Sequence, residues 1–251
     1  MDPDTDIGGA HHKFPLTNQS AIVAVRSSDT HVRQRAFDTI LASYWKPAYK
    51  HIRLKWHATN EDAKDLTQEF FATAFEKDYF AGYDSKKASF QTFLRTCLDG
   101  FVANQRKAET RLKRGGGAQH FALDFVGAED EMVLHSATPN LSPEDYFHQE
   151  WVRSLFALAV DTLRVRMTES GRTTHFQLFE SYDLNEDGST ARISYKALAD
   201  RFGLDLTTVN NYLAATRREF RKIVLEKLSE ITATEEEFRT EARSLLGIDL
   251  K

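Results

Sequence analysis

Three clusters of side chains have types and spacings that could do chemistry, and all three suit binding better than bond-making. The richest is Ser194–Phe220. Two helices crossing at a short turn need a small residue where they touch, a glycine at the turn and apolar residues that lock the pair. Ala199 is the small residue, Gly203 follows it, and Leu198, Phe202, Leu204, Val209 and Tyr212 fill the apolar positions. The second helix then carries Thr207, Thr208, Asn210 and Asn211 near its N-terminal end, where recognition helices touch base edges. Arg217, Arg218, Arg221 and Lys222 follow, and between Arg201 and Lys227 six bases stand against three acids. The pattern predicts a helix-turn-helix; a plain helical hairpin with a solvated basic face uses the same residues.

The second cluster is Arg106, Lys107, Arg111, Lys113 and Arg114 against Glu109, a net of +4. Cations at a helix end also suit the helix dipole without any ligand. Phe90, Phe93 and Phe101 precede the run at core spacing, whereas Tyr79, Phe80 and Tyr83 lie in a loop and are expected to be free to stack on an unpaired base. In the third cluster, Asp65, Gln68 and Glu69 fall off the apolar face of their helix, as a merely solvated surface would also have them. The run Asp183-x-Asn185-x-Asp187-Gly188 imitates a calcium loop, but its twelfth position is Ser194 where a bidentate Glu is needed. His148-Gln149-Glu150 lacks the second His of a zinc helix, and His11-His12 has no second ligand pair. There is no HExxH, P-loop or CxxC pair, so no catalytic group, metal or cofactor is expected.

Composition bounds the rest. The 251 residues hold 33 Lys and Arg against 37 Asp and Glu, so bulk charge points to no polyanionic partner and the local clusters must carry any such claim. With 41% hydrophobic residues a folded core is expected. Cys97 is the single cysteine, which excludes an internal disulfide and fits a reducing, cytoplasmic compartment. The longest clean apolar run, Leu155–Val160, is far short of a membrane span. Asp2, Asp4 and Asp6 precede any apolar stretch, unlike a secretory signal.

These clusters need helices to position them. Phe37, Ile40, Leu41 and Tyr44 recur at helical spacing, and Pro47 is expected to end that helix and open the next. Residues 61–76 form a helix with Leu66, Phe70, Phe71 and Phe75 on one face. Ser89 should cap a longer one facing inward through Phe90, Phe93, Leu94, Cys97, Leu98 and Phe101 and stopping at Gly115–Gly117. Residues 115–150 hold seven acids and no Lys or Arg, and read as a linker until Ser142-Pro143-Glu144-Asp145 starts a helix through Trp151, Leu155 and Leu163. Ser194 and Asp205 cap the pair described above, and Thr234 with Glu237 makes a capping box for a last helix. No strand pattern competes. The expectation is an all-α chain of two helical domains joined by a flexible acidic linker: a tail 1–14, a domain 15–114, a linker 115–141, a domain 142–230 containing the helix-turn-helix, and a helical extension 231–251.

The order of the motifs resembles a known family. Phe14-Pro15-Leu16-Thr17, Tyr44-Trp45-Lys46-Pro47, the run Glu61–Phe71 ending D-L-T-Q-E-F-F, an F-x-x-F-L helix with a basic end, and a C-terminal helix-turn-helix are similar to the extracytoplasmic-function sigma factors, the smallest members of the bacterial primary-sigma family. The resemblance covers roughly Phe14 to Leu246. It implies a non-enzymatic protein that binds core RNA polymerase and directs it to promoter DNA. It implies that Asp65, Gln68 and Glu69 dock on polymerase, and that Tyr83, Lys87, Asn104, Arg106, Lys107 and Arg111 capture and melt the minus-ten element. Thr207, Thr208, Asn210, Asn211, Arg217 and Arg218 would read the minus-thirty-five element. The acidic linker would thread near the polymerase active centre, and an anti-sigma factor is a further partner that the resemblance allows. The alternative is a helix-turn-helix regulator acting as a dimer on operator DNA, which leaves the first two clusters idle.

Overall fold

A computed structural model describes residues 20–109, 121–135, 141–184 and 193–248. Every regular element among them is helical. In order these are α1 (Ala21–Ala24), α2 (Thr30–Lys55), α3 (Asn60–Glu76), a 3-10 turn (Tyr79–Gly82), α4 (Phe90–Glu109), α5 (Phe125–His135), α6 (Pro143–Glu169), α7 (Thr173–Asp183), α8 (Tyr195–Phe202), α9 (Leu206–Glu230) and α10 (Glu235–Leu246). The all-α expectation therefore holds. None of these helices is long and apolar enough to cross a membrane. The tail, Arg111, the Gly115–Gly117 stop and the turn 185–190 lie outside the described residues.

The chain divides into two compact units, and both divisions fall inside helices. The larger unit comprises 13–155 with 228–250, the smaller 156–227. These cuts differ from the boundaries drawn at 115, 142 and 231, because packing brings the start of α6 and all of α10 together with residues far earlier in the chain.

In the larger unit α2 is the central element. It runs unbroken through Pro47, contrary to the expected break. Pro47 has no N–H to give to the Ser43 carbonyl. Yet Tyr44, Trp45, Pro47, Ala48, Tyr49 and Ile52 are all buried, so tertiary packing holds the helix across the missing bond. Phe37 packs against Phe71 and Phe80, and Tyr44 against Phe90 and Trp151. Several helix starts follow their sequence signals. Ser89 Oγ accepts from the Thr92 N–H at 3.3 Å, and Ser142 Oγ from Asp145 at 3.0 Å. Glu237 closes the box at α10, where its Oε2 accepts from the Ala233 N–H at 2.8 Å and its own N–H donates to Thr234 Oγ1 at 3.2 Å. The other oxygen of Glu237 accepts from the N–H of Phe90, the first residue of α4, at 3.1 Å.

The region read as a linker holds more structure than its composition suggests. Within 115–141 the helix α5 buries Ala128 and sets the Phe125 ring 5.4 Å from Trp45 and 5.2 Å from Tyr49. Its acids are not simply solvated, because α2 offers them cations: Glu131 bonds Lys46 and Lys50, both at 2.7 Å.

The smaller unit packs the end of α6 with α7, α8 and α9 around Leu163, Met167, Leu178, Leu198, Val209, Leu213 and Ile223. Phe220 lies 5.8 Å from Phe156 and 5.4 Å from Phe179. Gly203 closes α8 with φ 65°, a left-handed conformation that a side chain would strain, and its N–H bonds the Ala199 carbonyl.

Candidate nucleic-acid interface

In the smaller unit the first turn of α9 is organised by its cap. Asp205 Oδ1 accepts from the Thr208 N–H at 2.8 Å and Oδ2 from the Thr208 hydroxyl at 2.6 Å, and these bonds hold its carboxyl below the usual range. Thr208 is thereby committed to the cap. Beyond it, Val209, Leu213 and Thr216 face inward with no exposure. The helical period then turns Thr207, Asn210 and Asn211 outward, and all three are exposed. Side-chain amides on an exposed helix face can pair with base edges in a major groove. Leu206, the first residue of α9, is 53% exposed beside them and was missed by sequence reasoning. Its spacing gave no signal, because Leu206 stands three and seven residues before Val209 and Leu213 and so reads as part of the same apolar face.

Arg218 is exposed, but Arg217 is not a free phosphate-binding group. Its guanidinium forks onto Asp183 at 3.0 and 3.1 Å, lies 5.3 Å above the Tyr182 ring and donates to the Tyr195 hydroxyl. Burial works against the charge, and the bond to Asp183 outweighs it and raises the Arg217 pKa. The side chain ties α7 and α8 to α9, so its assignment to DNA is replaced by a structural one.

In the larger unit the expected sites fare differently. Tyr83 and Phe80 are not available for stacking, since they are 5% and 1% exposed. The Tyr83 ring packs on Phe90 and Phe93, and its hydroxyl donates to the Ala88 carbonyl at 3.1 Å. Aromatic bodies in a short loop are drawn into the nearest apolar gap, a pull that loop composition conceals. Lys87, Asn104, Arg106 and Lys107 are exposed, and Arg111 lies outside the described residues. Arg106 is partly committed: it donates to the Trp56 carbonyl and stands 5.2 Å over that indole.

Asp65 and Glu69 are exposed on α3, and Glu69 accepts from Gln105. Gln68 is half-buried and engaged with Phe121. A cleft of about 660 Å³ separates α3, the 3-10 turn and α4. It brings Glu69 and Asn104 to one place, together with Tyr79, Phe93, Cys97 and Gln105. Burial pushes the Cys97 thiol up, which makes it a poor nucleophile. Below the basic end of α4 lies a hub that the sequence did not suggest. Asp99 accepts from His51 at 3.0 Å, Lys55 at 2.9 Å and Trp56 Nε1 at 2.9 Å. Burial alone would raise its carboxyl, but these three donors hold it well below the usual carboxylate range. Among the described residues no group of three or more His, Cys, Asp or Glu is placed to hold a metal ion.

Comparison of the chain with protein-family models, curated proteins and solved structures gives no match.

Proposed function

We propose that this protein is a sigma factor of the extracytoplasmic-function type, which binds core RNA polymerase in the bacterial cytoplasm and directs promoter-specific initiation. The observation that carries the reading is the separation of exposed candidate contacts onto two compact units. Asp65, Glu69, Lys87 and Asn104 are exposed in the larger, and Thr207, Asn210, Asn211 and Arg218 in the smaller. In this reading α8, the Gly203 turn and α9 act as a helix-turn-helix. Thr207, Asn210 and Asn211 read duplex bases of the minus-thirty-five element, with Arg218 nearer phosphate. Asp65 and Glu69 dock on polymerase. The cleft beside Asn104, with Lys87 and the basic end of α4, receives the melted minus-ten strand, where an unpaired base needs a pocket and its phosphates need cations.

The test is transcription in vitro with purified core polymerase, with and without the protein, on its genomic promoters. A promoter-specific transcript that requires the protein is the expected result. No specific transcript, together with dimeric binding to a paired operator site, would replace this reading by that of a helix-turn-helix regulator.

A further inference from the structure

Of the three α3 residues assigned to polymerase docking, one already has an occupant. The Phe121 N–H donates to Gln68 Oε1 and Gln68 Nε2 donates back to the Phe121 carbonyl, both at 2.8 Å. The side-chain amide thus treats the incoming chain as a second backbone would, and the Phe121 ring anchors 6.0 Å from Phe37. Four residues on, α5 lies along α2 on a row of charges. Glu129 takes the Arg53 guanidinium at 2.5 and 3.2 Å and the Tyr49 hydroxyl at 2.5 Å. Those bonds, Arg53 first, lower its carboxyl. Glu131 bridges Lys46 and Lys50. Lys50 is itself 1% exposed and keeps a second partner, Glu150, at 2.6 Å.

We propose that residues 121–131 are a built-in competitor for the polymerase-docking face, so that polymerase at Gln68 and the docked acidic segment exclude one another. The proposal rests on the sigma-factor reading and adds a regulation to the same site. Its physics is that of a reversible clasp. The Glu131 side chain is 39% exposed, and Arg53 and Glu129 are about a quarter exposed. Ion pairs of that kind are individually weak and screened by salt. A larger interface can therefore displace them, shifting the population toward the open form in proportion to its preference for it. Lys50 does not prevent release, because Glu150 still neutralises it. Once freed, the acidic segment is available to be threaded elsewhere in the complex.

The experiment uses the full chain with core polymerase. Hydrogen exchange is followed at the α5 amides with and without core, and core affinity is measured for the wild type and for Glu129→Gln with Glu131→Gln. These substitutions leave Asp65, Gln68 and Glu69 in place. The expected result is that α5 is protected in the free protein and loses protection on core. The double variant should bind core roughly three- to tenfold tighter, the reciprocal of the wild type's open fraction, with the gap closing at high salt. Core that binds while α5 stays protected overturns the proposal and leaves the sigma reading standing, as does a variant that folds but binds no tighter. If core binds neither form, the sigma reading fails and this one with it. Should the variant fail to fold, exchange in the wild type decides alone.

Discussion

The basic end of α4 and the first turn of α9 read alike in the sequence, each as polar and basic residues on the outside of a helix, yet the fold uses them differently. Around α4 the candidates divide: Tyr83 is core and Arg106 leans on Trp56, while Lys87 and Asn104 stay exposed, and Asp99 beneath the helix end gathers three donors. At α9 only Thr208 and Arg217 are committed, and Thr207, Asn210 and Asn211 remain outward. A helical period tells which way a residue faces relative to its own helix. It does not tell which distant segment arrives to meet it.

The comparison can be broken or sharpened by substitution. The largest effect is expected at Tyr83, where Tyr83→Ala empties a buried aromatic site and should cost about 3 kcal/mol of stability. Tyr83→Phe should cost about 1 kcal/mol, for the hydroxyl alone. Chemical denaturation measures both, and a Tyr83→Ala variant of wild-type stability would return that residue to the list of DNA contacts. Next is Arg217→Ala, expected to cost about 2 kcal/mol by leaving Asp183 without its fork. Arg217→Lys should not recover it, since a lysine cannot make the paired contact. If Arg217→Ala instead melts like the wild type and weakens binding to all DNA sequences alike, its structural role is wrong.

Asp99→Asn comes third, at about 1.5 kcal/mol near neutral pH. Its sign with pH follows from the lowered carboxyl. The stabilisation is fully present above the unfolded value of about 4 and is lost as pH falls through the folded one. The gap between variant and wild type should therefore close in acid, and a gap independent of pH would remove the charge from the account. Smallest in stability is Asn211→Ala, expected within about 0.5 kcal/mol by melting. It should nonetheless relax upstream base preference by about 1–3 kcal/mol in binding to single-base promoter variants. Unchanged preference would leave the first turn of α9 as plain solvated surface.

What was legible in the sequence is local. Ser89, Ser142, Ser194, Asp205 and the Thr234–Glu237 box each mark a helix start because a cap acts within three or four residues. The exposure of Asn210 and Asn211 followed from the period set by Val209 and Leu213. The failures are non-local, apart from Thr208, which its own cap Asp205 claims. Pro47 stays helical because buried rings flank it, which only the assembled core supplies. The acids of 124–131 looked solvated because their cations, Lys46, Lys50 and Arg53, lie some eighty positions earlier. Gln68 looked free because Phe121 lies 53 positions later. Arg217 looked like a phosphate ligand because Asp183 belongs to another helix.

The carboxylate of Glu237 has a consequence for how the chain is made. Its hydrogen bond to the Phe90 N–H joins positions 147 residues apart within one unit. A ribosome adding about 5–20 residues per second exposes the start of α4 many seconds before it delivers α10. Through that interval Ser89 alone caps the helix, the Phe90 N–H lacks its carboxylate, and the surface later covered by Phe238 and Ala242 stays wet. The larger unit is thus the first begun and the last finished, while the smaller, drawn from one unbroken stretch of chain, can close in between. Contacts of such long range slow folding, because the loop must be closed before the contact rewards it.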